Sequence, residues 1–212
     1  MLLASVAELR ARVNVADSPV YNRVLTDLLL NVTLGIETHL DTKFARKEYT
    51  AKYFAGSNNY LVTGAPGRVA NGSPGVLHLL LEGLNASGLK VSLGSSLASS
   101  GSTTAASNYN LEDRGIVALF NGWIPDQYIT VTYTGGFEVE TVDGELVYKG
   151  VPLIIKQAAL IFAEHVFMTK YGDSQIEEAQ PGEKDYTDPP NSVTQILYQY
   201  NRNAPHALRS VI

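Results

Sequence analysis

Apolar positions along the chain follow two alternating rhythms. Leu3, Val6, Leu9 and Val13 recur at helical spacing and predict a short helix over residues 3–13. "NVADSP" breaks it. Ser18 then suits an N-cap, and Pro19 suits the first helical position, where a missing N–H costs nothing. Tyr21, Val24, Leu25, Leu28, Leu29, Val32, Ile36 and Leu40 follow as one apolar stripe, which predicts an amphipathic helix ending near residues 41–43. The rhythm then changes to alternation. In "KEYTAKYFAG", Tyr49, Ala51 and Tyr53 fall on one face, and Glu48, Thr50 and Lys52 on the other. "YLVTGAPGRVANGSPG" reads as a short strand followed by a Gly/Pro loop. "VLHLLLEG", "LKVSLG" and the stretches 109–111, 115–120 and 128–134 read as further strands, with a tight turn at Asn121–Gly122.

Between these strands, residues 94–107 carry no charge and are almost all small. They predict a flexible loop or hairpin tip, because they offer little apolar area to bury. Residues 138–148 predict a hairpin, since Asp143–Gly144 suits a type I′ turn between alternating arms. "VPLIIKQAALIFAEHVF", residues 151–167, is apolar on nearly every side and begins at a proline. It predicts a core helix over 151–171, Leu160 included among its core residues, whose apolar surface packs on one side against Leu25, Leu29 and Val32 and on another meets a neighbouring subunit. Residues 172–190 are polar and hold three prolines, a linker composition. After them, Ser192 suits an N-cap, with Val193, Ile196, Leu197 and Tyr200 on one helical face. The whole reads as α+β: helices from both chain ends (1–44 and 151–171) meet around a β-rich insertion (45–150), with a C-terminal arm at 191–212.

Composition narrows the function. The chain has 212 residues, no cysteine and a net charge of −5. Disulfides and thiolate metal sites are excluded. A general nucleic-acid binder would need a basic stripe, whereas an acidic channel lets DNA slide past without sticking. Only 17% of residues are charged, which suits a surface that partly meets other protein. The N-terminus lacks the basic start of a secretory signal, so the sequons at Asn31, Asn71 and Asn85 read as chance. A membrane span needs about 20 apolar residues. The 152–168 helix is interrupted by Lys156, Gln157, Glu164 and His165 and is not expected to be one.

Chemistry-bearing motifs are missing. His39, His78, His165 and His206 form no i, i+4 pair, and "EH" at 164–165 lacks the second histidine of a zincin. "GAPGRVANGSPG" lacks the Gly-Lys-Ser/Thr ending of a phosphate loop, and no nucleophile elbow is present. "EEAQPGEKD" clusters acids without calcium-loop spacing. No catalytic residue, cofactor or metal is therefore expected. Tyr198 and Tyr200 suit either an interface, where tyrosine buries a ring and keeps a wet tip, or a terminal helix folded on its own core.

Three stretches carry a resemblance. "SVAELRARVNV…DSPVYNRVLTDLLLNVTLGIETHLDTKF", "YITVTYTGGF" and "VPLIIKQAALIFAEHVF" resemble the head–tail connector (adaptor) proteins of long-tailed double-stranded DNA phages. The matching positions are Thr42 and Phe44; Val131, Tyr133, Gly136 and Phe137; and Val151 and Pro152. The chain departs from that family in its longer, more β-rich middle (56–127) and in the hairpin inserted before the helix. The resemblance implies a virion protein assembled in the host cytoplasm, a ring of about twelve subunits closed by heterologous contacts. Its implied partners are the portal, the stopper or tail protein, and other copies of the chain, with DNA passing through unread. By position, the implied portal or subunit interface is the arm, with Val193, Ile196, Leu197, Tyr198, Tyr200, Arg202, His206, Leu208 and Arg209. A head-closure or tail-completion protein fits the same sequence. A different class, a β-rich module binding a small molecule or carbohydrate, stands as the alternative, and an unrecognised enzyme ranks below it.

Overall fold

A computed structural model describes residues 1–55, 68–70, 77–81, 83–95, 102–112, 116–119, 127–171 and 189–200. The protein is α+β. Its chain divides into two compact units, Met1–Asp41 with Glu138–Ile212, and Thr42–Phe137. The predicted hairpin at 138–148 therefore groups with the helices and not with the β-rich insertion.

In the helical unit, α1 (Val6–Val13) starts at Ser5, which forms a reciprocal capping box with Glu8. Helix α2 (Pro19–Leu40) starts at Ser18, whose side chain accepts from the Tyr21 N–H, and stops where Asp41 turns left-handed at φ 50°. In the β unit, β1 (Lys47–Ala55) leads to β2 (Arg68–Ala70), β3 (Leu77–Leu80), β4 (Ser87–Gly94), β5 (Ser102–Thr103), β6 (Tyr109–Glu112), β7 (Ile116–Leu119) and β8 (Gln127–Gly135). The chain then re-enters the helical unit with β9 (Glu138–Val142), β10 (Glu145–Lys149), α3 (Leu153–Tyr171) and α4 (Asn191–Leu197).

The β unit pairs two antiparallel sheets, ordered β1-β8-β4-β5 and β2-β3-β7-β6. One core serves both: Tyr49, Ala51, Tyr53, Val91, Ile129, Val131 and Tyr133 from the first, Leu79, Val117 and Leu119 from the second. Tyr49 and Tyr133 are cross-strand partners, and their rings stack 5.1 Å apart. Alternation thus puts Tyr49, Ala51 and Tyr53 inside, as their period of two requires.

Several expectations are corrected. Residues 68–70, expected in a loop, form β2 and pair with β3. The 94–107 stretch is not all loop: Ser102 and Thr103 pair with Leu93 and Ser92, and residues 106–108 make a 3₁₀ turn. The sequence argument counted apolar burial alone, whereas here backbone hydrogen bonds to a ready strand give the order. The Thr104 N–H donating to the Val91 carbonyl at 2.8 Å is one such bond. The strand expected at the start of "YLVTGAPG", the turn at Asn121–Gly122 and most of the 172–190 linker lie outside the described residues. Helix α4 begins one residue before the expected cap: Pro190 holds the N-cap position, and Ser192 lies in the first turn.

Helix α3 buries Ile155, Ala158, Ala159, Phe162, Ala163, Val166 and Phe167. It packs against α1, α2 and α4. Leu25, Leu29 and Val32 of α2 are fully buried. Leu160, expected in that core, is only half-buried. It lies at i+4 from Lys156 and i−4 from Glu164, the stripe that meets α1 through charges. Lys156 Nζ contacts Glu8 Oε1 at 2.6 Å, and Arg12 pairs with Glu164. An all-round apolar helix still has one polar ridge, and Leu160 shares it.

Candidate functional site

Two places in the fold are candidates for a functional role. The first is a clasp where β1 begins and β8 ends. Phe137 N–H donates to the Phe44 carbonyl at 2.7 Å, and Gly136 N–H donates to the Leu84 carbonyl at 2.6 Å. Ala45 and Phe137 form a parallel bridge. The Phe44 and Phe137 rings lie 6.1 Å apart, and both are buried, as is Thr42. Glycine is required at position 136. Its φ is +93°, and a Cβ there would overlap the Ala45 carbonyl and lie 2.7 Å from the Arg46 Cα. So Phe44 meets Phe137, and its neighbour Ala45 meets Gly136, although over 90 residues separate the two groups. Val131 and Tyr133 extend from this clasp into the β core.

The second place is the surface of the helical unit. On α2, Val20, Leu30 and Leu34 are exposed, Leu34 by 58%. On α3, Leu153 and Met168 are exposed at the two ends, Leu153 by 69%. On the hairpin, Val139 and Leu146 are exposed. Sequence reasoning did not single these residues out, but a signal was present. Val20, Leu30 and Leu34 lie off the stripe that runs from Tyr21 to Leu40, so a helix burying that stripe must present them to solvent.

The residues expected at an interface divide. Val193 and Leu197 are fully buried on α4, which packs against α3. They belong to the core of this chain rather than to a free interface, because the apolar face of α4 finds α3 within its own subunit. Ile196 and Tyr200 are partly covered, and Tyr198 is exposed. Arg202, His206, Leu208 and Arg209 lie outside the described residues.

Charge within the helical unit is local. Burial opposes ionisation of Glu8, but hydrogen bonds from Lys156 and from the Ser5 N–H and hydroxyl outweigh it and hold the carboxyl below its ordinary value. Burial pushes the Tyr148 phenol up, and the nearby Glu37 charge adds to the shift. The Thr26 hydroxyl donates to Glu145 at 2.6 Å and ties the hairpin to α2. Among the described residues, no group of acidic and imidazole side chains could hold a metal ion, and no helix is long and apolar enough to cross a membrane.

No family model matches the sequence, and no curated protein does. Among solved structures, the chain is similar to one in the virion of a native gene transfer agent particle, at 14% identity and a TM-score of 0.46. That match covers 92% of this chain and 88% of the other. The chain is also similar to one in the neck of an empty gene transfer agent particle computed with C6 symmetry. There the identity is 14% and the TM-score 0.45, with the same coverage of 92% and 88%.

Proposed function

We propose that this chain is a structural subunit of the neck of a tailed, phage-type particle. Copies of it form a ring that joins the capsid portal to the stopper or tail, and DNA passes through the hole. The subunit works by assembly and not by catalysis. The observation that carries this reading is the clasp: two sequence motifs that resemble those of connector proteins are one joint in the fold, at the root of the β unit. The third motif, Val151–Pro152, leads directly into α3, around which the other helices pack.

The exposed apolar residues of the helical unit support a ring body made of helices. Covering apolar area stabilises by about 25 cal/mol per Å², so a heterologous contact through Leu30 and Leu34 favours closure around an axis. The net charge of −5 suits a channel that repels DNA rather than gripping it. The C-terminal arm contributes contacts to portal or neighbour from Tyr198 onward, since Val193 and Leu197 are engaged by α3.

Electron micrographs of the purified chain mixed with portal protein test the reading. A closed ring seated beneath the portal is expected; chains that stay single and leave the portal bare would refute it. Removing residues 201–212 tests the arm without stripping Val193 and Leu197 from the core, and loss of portal or neighbour binding with the body still folded is expected.

A further inference from the structure

The hairpin has one occupied edge and one open edge. Its two-residue turn at Asp143–Gly144 makes Val142 and Glu145 the first hydrogen-bonded pair. Glu140 with Val147 and Glu138 with Lys149 follow at alternate positions. By the same alternation, Leu146 and Tyr148 of β10 direct backbone groups outward, and Leu2 takes them. Its N–H donates to the Leu146 carbonyl at 3.0 Å, and the Tyr148 N–H donates to its carbonyl at 2.9 Å. On β9 the outward residues are Val139 and Thr141. They offer two N–H donors and two carbonyl acceptors, and among the described residues no strand lies against them. Residues 138–141 are exposed. An edge of this kind is a template for strand addition.

The side chains specify what can add. Glu138 and Glu140 lie on one face of β9, and Val139, 37% exposed, lies on the other beside Leu146, 53% exposed. A second β9 is a poor occupant, because antiparallel pairing sets carboxylate against carboxylate. The fitting strand carries a cation and an aliphatic residue on opposite faces. Residues 56–67, 71–76 and 96–101 hold no charge, and 172–188 is rich in acids. Residues 201–212 hold Arg202, His206 and Arg209 and no acid. In an extended chain, Leu208 and Arg209 project to opposite faces.

We infer that residues 206–212 of one subunit add as a strand to β9 of a neighbouring copy, with Arg209 facing Glu140 and Leu208 covering Val139 and Leu146. This rests on the ring reading and names the contact that links successive subunits. It is heterologous, so it propagates around an axis.

The absence of cysteine makes the test specific. Full-length chains carrying Val139→Cys are mixed with full-length chains carrying Leu208→Cys and oxidised. A disulfide-linked heterodimer is expected. Adding Thr141→Pro to the first chain is expected to abolish it, since that N–H is not used within the hairpin. Glu140→Arg is expected to weaken the crosslink, and Arg209→Glu in the partner to restore it. No heterodimer overturns the inference. So does a heterodimer indifferent to Thr141→Pro, or an intramolecular disulfide when both cysteines are in one chain. Rings beneath the portal without the crosslink refute strand addition alone. The crosslink without rings refutes the neck reading and leaves strand addition standing.

Discussion

The two units treat their apolar residues in opposite ways. Among residues whose side chains are described, the β unit, residues 42–137, exposes no large apolar one; the helical unit exposes Met1, Val20, Leu30, Leu34, Val139, Leu146, Leu153, Met168 and Tyr198. The β unit satisfies itself, because two sheets face one another and strand alternation sends every second residue inward. In the helical unit, the described helices and hairpin leave part of their apolar surface uncovered. The β unit buries Tyr49, Tyr53 and Tyr133 in its own interior, whereas the helical unit leaves aliphatic side chains such as Leu34 and Leu153 at its surface.

The comparison can be broken most sharply in the helical core. Phe162→Ala is expected to destabilise the protein by about 3–5 kcal/mol, as for other buried aromatic truncations. Leu160→Ala, on the half-buried ridge, is expected to cost well under half of that, and equal shifts in denaturant unfolding would show the ridge to be core. At the clasp, Gly136→Ala is expected to cost about 3 kcal/mol, from a left-handed backbone and overlap with Ala45. Gly144→Ala, equally left-handed at φ +85° but in open space, is expected to cost about 1 kcal/mol. Thermal unfolding of the pair separates conformation from crowding. In the β core, Tyr133→Leu is expected to cost about 1–2 kcal/mol, from loss of the stack on Tyr49.

Smaller effects test the charges and the surface. The Glu8 carboxyl is held below its ordinary value of 4.5 in the folded chain. Its contribution is therefore full above that value and is lost as the pH falls through the lowered one. The melting temperature of Glu8→Gln is expected to lie slightly below that of the parent at pH 7 and to meet it in acid; a gap that persists at low pH would assign the loss to packing. Finally, Leu30→Ser with Leu34→Ser is expected to leave the stability of the single chain within about 0.5 kcal/mol while abolishing ring formation with portal in micrographs.

Much of the fold was legible because its signals are local. Ser18 followed by Pro19 marks the start of α2, Asp143–Gly144 marks the hairpin turn, and the Tyr49, Ala51, Tyr53 alternation marks β1. What was illegible depended on partners. Residues 68–70 and 102–103 lack any strand signature and are ordered by neighbours that supply hydrogen bonds. Leu160 is indistinguishable from Phe162 in a run that is apolar throughout, and only the placement of Glu8 and Arg12 decides that its ridge faces charge. The candidate site was half legible. The clasp motifs could be named, but Val193 and Leu197 read as interface because the sequence does not say that α3 lies within their reach.

The sequence by itself determined the α+β class, the positions of the strong helices and the hairpin, and the absence of cysteine chemistry, since each follows from periodicity, capping or composition along neighbouring residues. The tertiary structure alone decided that Phe44 meets Phe137, that the hairpin joins the helical unit, that Leu2 fills one edge of it, and that no strand among the described residues lies against the outer edge of β9. These depend on which distant segments share a surface, and no local pattern of residues encodes that.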